Sequence, residues 1–397
     1  VLPLLSPQPL SRSMTRPSSP PSVSRPKLPP HGSLIACLSA SSPPPSLLAV
    51  PLSRNAATGG SPSFSRSPRS SGAATLVSLL RPGEILLPNG PLSDAFLISL
   101  RTQLARNCEA SSSSSSHQSS HTLTLSSMRA LLRRAHSLLV SENNIVSVES
   151  APDSLTGVKV IGDLHGQFFD LLYITDHVGW PRPNAPVVFL GDYIDRAPLG
   201  LEIITLLLAW KLAYPQQIVL LRGNHETAEV CQAYGFEEEI QQKYGFYSGI
   251  EDLFHTMCSA LPLACLVNHE ALCVHGGPWR EARKDMKLAP GKLKQLANLD
   301  RFVVEPSNEL VLDALWSDPM PTGRGRSIMF NYRRGVGLCY ASSFTMEFLE
   351  KNGLKLIVRG LSLVHLFCCF VSNFFFFWRQ KNNKLKNETL DHRARGI

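Results

Sequence analysis

Acidic side chains are missing from the first 83 residues, which hold eight of the chain's 39 Lys and Arg. The remaining 31 cations balance all 31 Asp and Glu, so the formal charge of +8 belongs to the N-terminal segment. That location removes the usual reason to expect nucleic acid, which is a basic surface on the folded part. Zinc-type cysteine spacing is missing too. Nine Cys are scattered with no CxxC and no paired Cys/His pattern, and an odd count excludes a complete disulfide frame. Reduced thiols in a cytoplasmic or nuclear protein are the expectation, with Cys265 and Cys273 buried as small hydrophobes. No repeat of fixed period occurs, which excludes a helical-repeat array ahead of a folded domain.

At 397 residues the chain can bury one large core and still leave poorly packed ends. Residues 1–85 are rich in Ser, Pro and Arg and nearly free of aromatics, too polar to offset the entropy of ordering. A disordered tail is expected there; the alternative is a transit segment directing the chain to a plastid or mitochondrion. Residues 86–150 predict a helical brace. Leu92–Arg106 has Ser93 or Asp94 at its start, and Ser126–Val140 sets Met128, Leu131, Leu132, His136 and Leu139 at helical spacing. The Ser/His-rich run Ala110–His121 reads as a linker, with His117 and His121 as ordinary linker residues.

Residues 151–360 alternate short apolar runs with helical stretches, the pattern of an α/β domain with ligands at strand ends. Four of the runs close on polar residues. VKVIGDLHG delivers Asp163 and His165; PVVFLGDYIDR delivers Asp192, Asp195 and Arg196. IVLLRGNHE delivers Asn224, His225 and Glu226, and ALCVHGG delivers His275. Gln167–Val178, Leu201–Ala213, Glu226–Tyr244 and Gly249–Ser259 read as helices, the second apolar enough to be buried on all sides.

On an extended segment Asp163 and His165, two apart, point to one side and can hold one ion. Asp192 has two carboxylate oxygens with which to bridge two ions; Asn224 offers an amide oxygen and His275 an imidazole. Mixed His and carboxylate ligation suits Mn, Fe or Zn. Two such ions about 3.5–4 Å apart can bridge a water and clamp the oxygens of a displacement at phosphorus. Beside Asn224, His225 is placed to protonate a leaving alkoxide. Asp195 can fix the tautomer of that imidazole and raise its pKa, and Arg196 supplies a planar fork for phosphate oxygens. Arg222 and Glu226 read as an ion pair.

These motifs resemble the GDxHG, GDxxDRG and GNHE marks of the phosphoprotein phosphatase family of metal-dependent serine/threonine phosphatases. The resemblance runs from about Val158 to Gly360. It includes Tyr234–Gly245 (YGFEEEIQQKYG), Leu261–Ala264 (LPLA) and Trp316–Pro319 (WSDP). WSDP with a Gly/Arg-rich loop behind it is most similar to the protein phosphatase type 5 group. The implied fold is the calcineurin-like metallophosphoesterase fold, a β-sandwich flanked by helices. The resemblance implies Asp163, His165 and Asp192 on a first ion and Asp192, Asn224 and His275 on a second. It implies His225 with Asp195 as the acid pair, and Arg196 and Arg334 on the phosphate, Arg334 through the run Arg334–Val336. Phosphoprotein substrates and regulatory subunits are the partners it implies. Ala197 stands where the motif has Gly, which fits only a backbone of negative φ.

After Leu356–Gly360 (LIVRG) the family continues with a His, its last metal ligand. Here Leu361 follows, and residues 361–397 match nothing in the family. Leu361–Trp378 is apolar and precedes Arg379, Lys381, Lys384 and Lys386, which gives a C-terminal membrane anchor as one reading. His365 and Asn373 interrupt that run, and its start one residue short of a ligand favours read-through into untranslated sequence. The fold is then incomplete at its C-terminal end. A catalytically impaired phosphatase-like protein and another phosphomonoesterase on the same scaffold are the alternatives.

Overall fold

The computed structural model describes residues 84–113, 123–149, 157–179, 186–281, 289–320, 327–360 and 376–379. Every described residue lies in one compact unit, which reaches to Ile397. The readings of residues 1–83, of most of the Ser/His linker and of most of the tail after Gly360 fall outside the described residues.

Two sheets carry the site. The first is a parallel three-stranded sheet of β2 (Lys159–Ile161), β3 (Val187–Phe189) and β4 (Ile218–Leu220), in that order. The second has five strands. From one edge to the other they are β1 (Ile145–Val148), β5 (Ala264–Val267), β6 (Ala271–Val274), β10 (Leu356–Arg359) and β11 (Phe376–Arg379). In it β1 runs parallel to β5, β6 antiparallel to β5, and β10 parallel to β6. A small third sheet orders β7 (Asp318–Pro319), β9 (Leu338–Tyr340) and β8 (Ile328–Phe330).

Side-chain alternation explains why the two larger sheets stack. Val188, Leu190, Val219 and Leu221 of the parallel sheet share one apolar cluster with Val148, Cys265, Cys273 and Val358 of the five-stranded sheet. The alternate residues face outward. Val187, Phe189, Ile218 and Leu220 meet helices α1 (Asp94–Ser113), α2 (Leu125–Leu139), α3 (Phe168–Val178), α4 (Gly200–Ala213) and α7 (Ile250–Ser259). Ala264, Leu272, Val274 and Ile357 meet α8 (Leu293–Ala297), α9 (Glu309–Trp316) and α10 (Ser342–Lys351). The result is the expected β-sandwich between helical layers.

Helix ends depart from the sequence reading for local reasons. α1 runs seven residues past Arg106, because nothing from Asn107 to Ser113 breaks a helix. Ser93 starts it, accepting the Phe96 amide at 3.3 Å. The single helix expected over Glu226–Tyr244 is two, α5 (Ala228–Tyr234) and α6 (Phe236–Tyr244), separated by Gly235 at φ +105°. α4 is buried from Gly200 to Lys211 as expected. Its N-terminus is capped from another helix: Glu239 accepts the amides of Gly200 and Leu201 at 3.0 and 2.8 Å, and Lys243 neutralises Glu239 and Glu202, each at 2.7 Å.

β1, within the span expected as the brace, is an edge strand of the five-stranded sheet that also carries His275. Arg301 fastens the junction. It is 4% exposed and donates to the carbonyls of Leu139, Glu142 and Ala260 and to Asn144 Oδ1, at 2.8, 2.7, 3.2 and 2.7 Å. Arg301→Ala strands those acceptors, and we expect a loss of about 3 kcal/mol. Urea denaturation checks this: the midpoint falls while the slope holds. At the other edge, β11 pairs antiparallel with β10, so the tail supplies a strand where the sequence reading left the sheet unfinished. Among the described residues no helix is long and apolar enough to cross a membrane.

Candidate metal centre

Each candidate ligand lies on the loop that leaves a strand's C-terminal end, where an open α/β sheet presents its binding residues. Asp163 and His165 follow β2, Asp192 follows β3, Asn224 follows β4 and His275 follows β6. The loops are tied to one another. The amides of Leu164 and His165 both donate to the Asp192 carbonyl at 2.9 Å. The Glu226 carboxylate accepts three amides, those of Asp192, Tyr193 and Gly223, at 2.8, 2.9 and 2.8 Å. Gly223 is required by contact: a Cβ there would lie 2.3 Å from Asp192 Oδ1.

Four residues with side chains hold a left-handed backbone here: His165 (φ 41°), Asp192 (53°), Asp195 (68°) and Arg196 (68°). Such strain costs about 1–3 kcal/mol per residue and collects where function demands it. The other two among the described residues, Asn268 and His269, form the β5–β6 hairpin turn. Ala197 is not among them, so the Ala for Gly exchange is accommodated as the sequence required.

Asp192 is the hub. Its Oδ2 stands 3.4 Å from His165 Nε2 and 3.9 Å from His225 Nε2, and its Oδ1 3.3 Å from His275 Nε2. Two ligand groups result, one of His165, Asp192 and His225, the other of Asp163, Asp192 and His275, with donor atoms within 4.8 Å of one another in each. Asn224 joins the second group, its Oδ1 2.8 Å from His275 Nε2. Asp163 Oδ1 lies 4.0 Å from His275 Nδ1, and its carboxylate is also near enough to His165 to raise that imidazole's pKa. β2 ends at Ile161, and the chain turns at His165.

The donor chemistry fits cations. His165 Nδ1 donates to the Ile194 carbonyl and His275 Nδ1 to the Leu190 carbonyl, both at 2.9 Å. Those bonds fix each ring so that Nε2 carries a lone pair toward the hub. Burial pushes both imidazoles down to about 4, so they are neutral at physiological pH. The Asn224 amide oxygen and Asp192 Oδ1 both approach His275 Nε2, at 2.8 and 3.3 Å. Converging lone pairs beside buried carboxylates repel unless a cation lies among them. Burial and the carboxylates of Asp163 and Glu226 push Asp192 well above its usual range in the same way.

His225 and Asp195 form the expected pair. His225 Nδ1 donates to Asp195 Oδ2 at 2.7 Å, and Asp195 Oδ1 accepts the Phe236 amide at 3.0 Å. The pKa direction differs from the sequence reading. Burial, with Arg196 adding to it, pulls His225 down to about 3, and burial lifts Asp195 to about 7. At this depth desolvation outweighs the attraction of the carboxylate. Arg196 is exposed, and its Nη2 lies 3.3 Å from His225 Nε2. Arg334 is anchored, its Nε 2.5 Å from Asp318 Oδ2, and it is near enough to His225 to help lower its pKa.

Arg222 and Glu226 do not pair side chain to side chain. Arg222 donates to the carbonyls of Glu226, Val303 and Val304 while Glu226 gathers amides. Sequence reasoning missed the role of Glu226, and missed Asp318 and Arg359, which lie 3.2 Å apart. The GNHE and WSDP runs signalled Glu226 and Asp318; nothing in the sequence singled out Arg359.

Residues 157–360 match the family model described as calcineurin-like phosphoesterase. The chain belongs to that family. A calcineurin-like phosphoesterase of this kind has curated relatives named as protein phosphatases. A protein phosphatase 2A catalytic subunit from Dictyostelium discoideum is 37% identical over 240 residues, 60% of this chain and 70% of that one. Serine/threonine-protein phosphatase 7 of Arabidopsis thaliana is 36% identical over 259 residues, 58% of this chain and 61% of that one, so this chain spans less than two thirds of it. Among solved structures, a protein serine/threonine phosphatase from Saccharomyces cerevisiae with similarity to human phosphatase PP5 superposes with a TM-score of 0.59. It is 27% identical, covering 69% of this chain and 78% of that one. The calcineurin-like phosphoesterase fold expected from the strand-end motifs is therefore the fold present.

Proposed function

We propose that this chain hydrolyses phosphoserine and phosphothreonine in proteins. The observation that carries the proposal is the meeting of Asp163, His165, Asp192, Asn224 and His275 beside a hydrogen-bonded His225–Asp195 pair and an exposed arginine. The curated relatives and the solved yeast enzyme, all named as serine/threonine or 2A-type protein phosphatases, point to the same substrate class, with regulatory subunits as further partners.

Asp163, His165, Asp192, Asn224 and His275 are the residues that would hold two ions, with Mn, Fe or Zn suited to the mixed donors. Bound there, such ions supply an activated water and neutralise charge at phosphorus. The protein's own groups do the rest. Arg196 and Arg334 bind the phosphate oxygens, Arg334 held in place by Asp318. Asp195 orients His225 so that Nε2 faces the mouth; when the pair holds a second proton, which Asp195 at about 7 can supply, Nε2 gives a proton to the leaving serine or threonine oxygen. Arg196 moves off the same nitrogen when it takes up the phosphate. A second reading, an impaired phosphatase, rests on Leu361 following Gly360 directly.

Hydrolysis by the purified chain with Mn²⁺ tests the proposal. Phosphothreonine peptides and an aryl phosphate should be hydrolysed, and diadenosine tetraphosphate poorly. Faster turnover of the dinucleotide than of the peptides contradicts it.

A further inference from the structure

Two adjacent arginines, Arg333 and Arg334, are used in opposite ways. Asn331 is 1% exposed and anchors a turn, its carbonyl accepting the amides of Arg334 and Gly335 at 3.1 and 2.9 Å. Left-handed Gly335 and Gly337, at φ 74° and 73°, close the loop, and the Asn331 amide returns to the Gly337 carbonyl at 3.0 Å. The turn is bolted down through Asp318, which receives Asn331 Nδ2 at 3.1 Å, Arg334 Nε at 2.5 Å and Arg359 Nη2 at 3.2 Å. Arg334 is thereby committed. Tyr332 and Arg333 form the tip. Tyr332 is 79% exposed and rests edge-on against Phe330 at 5.1 Å. Arg333 is exposed and pairs with no acid among the described residues.

One carboxylate thus answers two guanidinium groups, while Arg333 at the tip and Arg196 at the mouth add further cations. That positive charge adjoins Arg334, the arginine assigned to the phosphate, so residues flanking a phosphorylated side chain bound there would meet it. From this we infer that the site selects phosphopeptides whose phosphoresidue is flanked by acidic side chains, with Arg333 as the specificity-determining residue. The inference rests on the phosphatase reading above and narrows its substrate class. A rim charge of this type acts mainly on encounter and affinity and is weakened by salt.

The test is fluorescence anisotropy of the full chain with Mn²⁺ and labelled peptides carrying a non-hydrolysable phosphonate in place of phosphothreonine, flanked by Glu or by Lys. The Glu peptide should bind about two- to fivefold more tightly at about 50 mM salt, and the gap should close near about 0.5 M. Arg333→Glu should reverse the order, and Arg333→Lys should keep it. Equal binding of the two peptides, no binding of either at millimolar concentration, or a preference untouched by Arg333→Glu overturns the inference. Aryl phosphate hydrolysis by the same preparation separates the two ideas. Hydrolysis without charge preference sinks only the selectivity, whereas charge preference without hydrolysis counts against the phosphatase reading alone.

Discussion

Asp192→Asn loses more than about a hundredfold in kcat/KM on an aryl phosphate with Mn²⁺, because the exchange reaches both halves of the site at once. Its two oxygens face His165 and His225 on one side and His275 on the other, and an amide keeps the shape while removing the charge that draws cations in. The Asp192 backbone amide remains held by Glu226, so the fold should survive and circular dichroism should match the parent. Metal titration should show the ions lost together. Turnover within about threefold of the parent would place the chemistry elsewhere in the molecule.

Leu361→His should act in the other direction. The Gly360 amide donates to the His275 carbonyl at 3.0 Å, and a Cβ on Gly360 would fall 2.4 Å from Asp163 Oδ1. The backbone at this point lies against two candidate ligands, and the next residue in the family's pattern is the last metal ligand. An imidazole there adds a donor to a set that has only one histidine on the His275 side. We expect Mn²⁺ affinity to rise at least about tenfold and aryl phosphate hydrolysis to rise with it. Metal binding followed by titration separates the two effects. Unchanged affinity would mean that the second ion does not depend on this position.

Much of the site was legible in the sequence because the signal is local. An apolar run closing on Gly-Asp or Gly-Asn-His marks a buried strand and its ligand loop, and parallel strands bring such loops to one edge. The course of the ligand loops was less legible. The loop after β2 turns at His165, at positive φ, and its amides bond across to the Asp192 carbonyl, a tertiary choice that no local pattern announces. Glu226 was read as the partner of Arg222 because nearness in sequence suggested it. Its actual contacts lie 3 to 34 residues away on two loops. Arg334 was identified through resemblance, and the carboxylate that holds it, Asp318, sits in a motif whose side-chain use only the tertiary structure reveals. β1 went unrecognised because four residues beside two strong helices carry little pattern of their own.

That short strand also constrains how the chain can be assembled. Ile145 finds its neighbour only at Ala264, so the edge it offers stays open while some 120 intervening positions emerge from the ribosome. The Ala264–Val274 hairpin, closed by a tight turn, can form within microseconds of its synthesis and then serve as the template on which the earlier segment docks. Shortened chains that begin between residues 140 and 157 lack that docking segment or the residues flanking it, and should aggregate on expression, where a chain beginning just before residue 84 stays soluble.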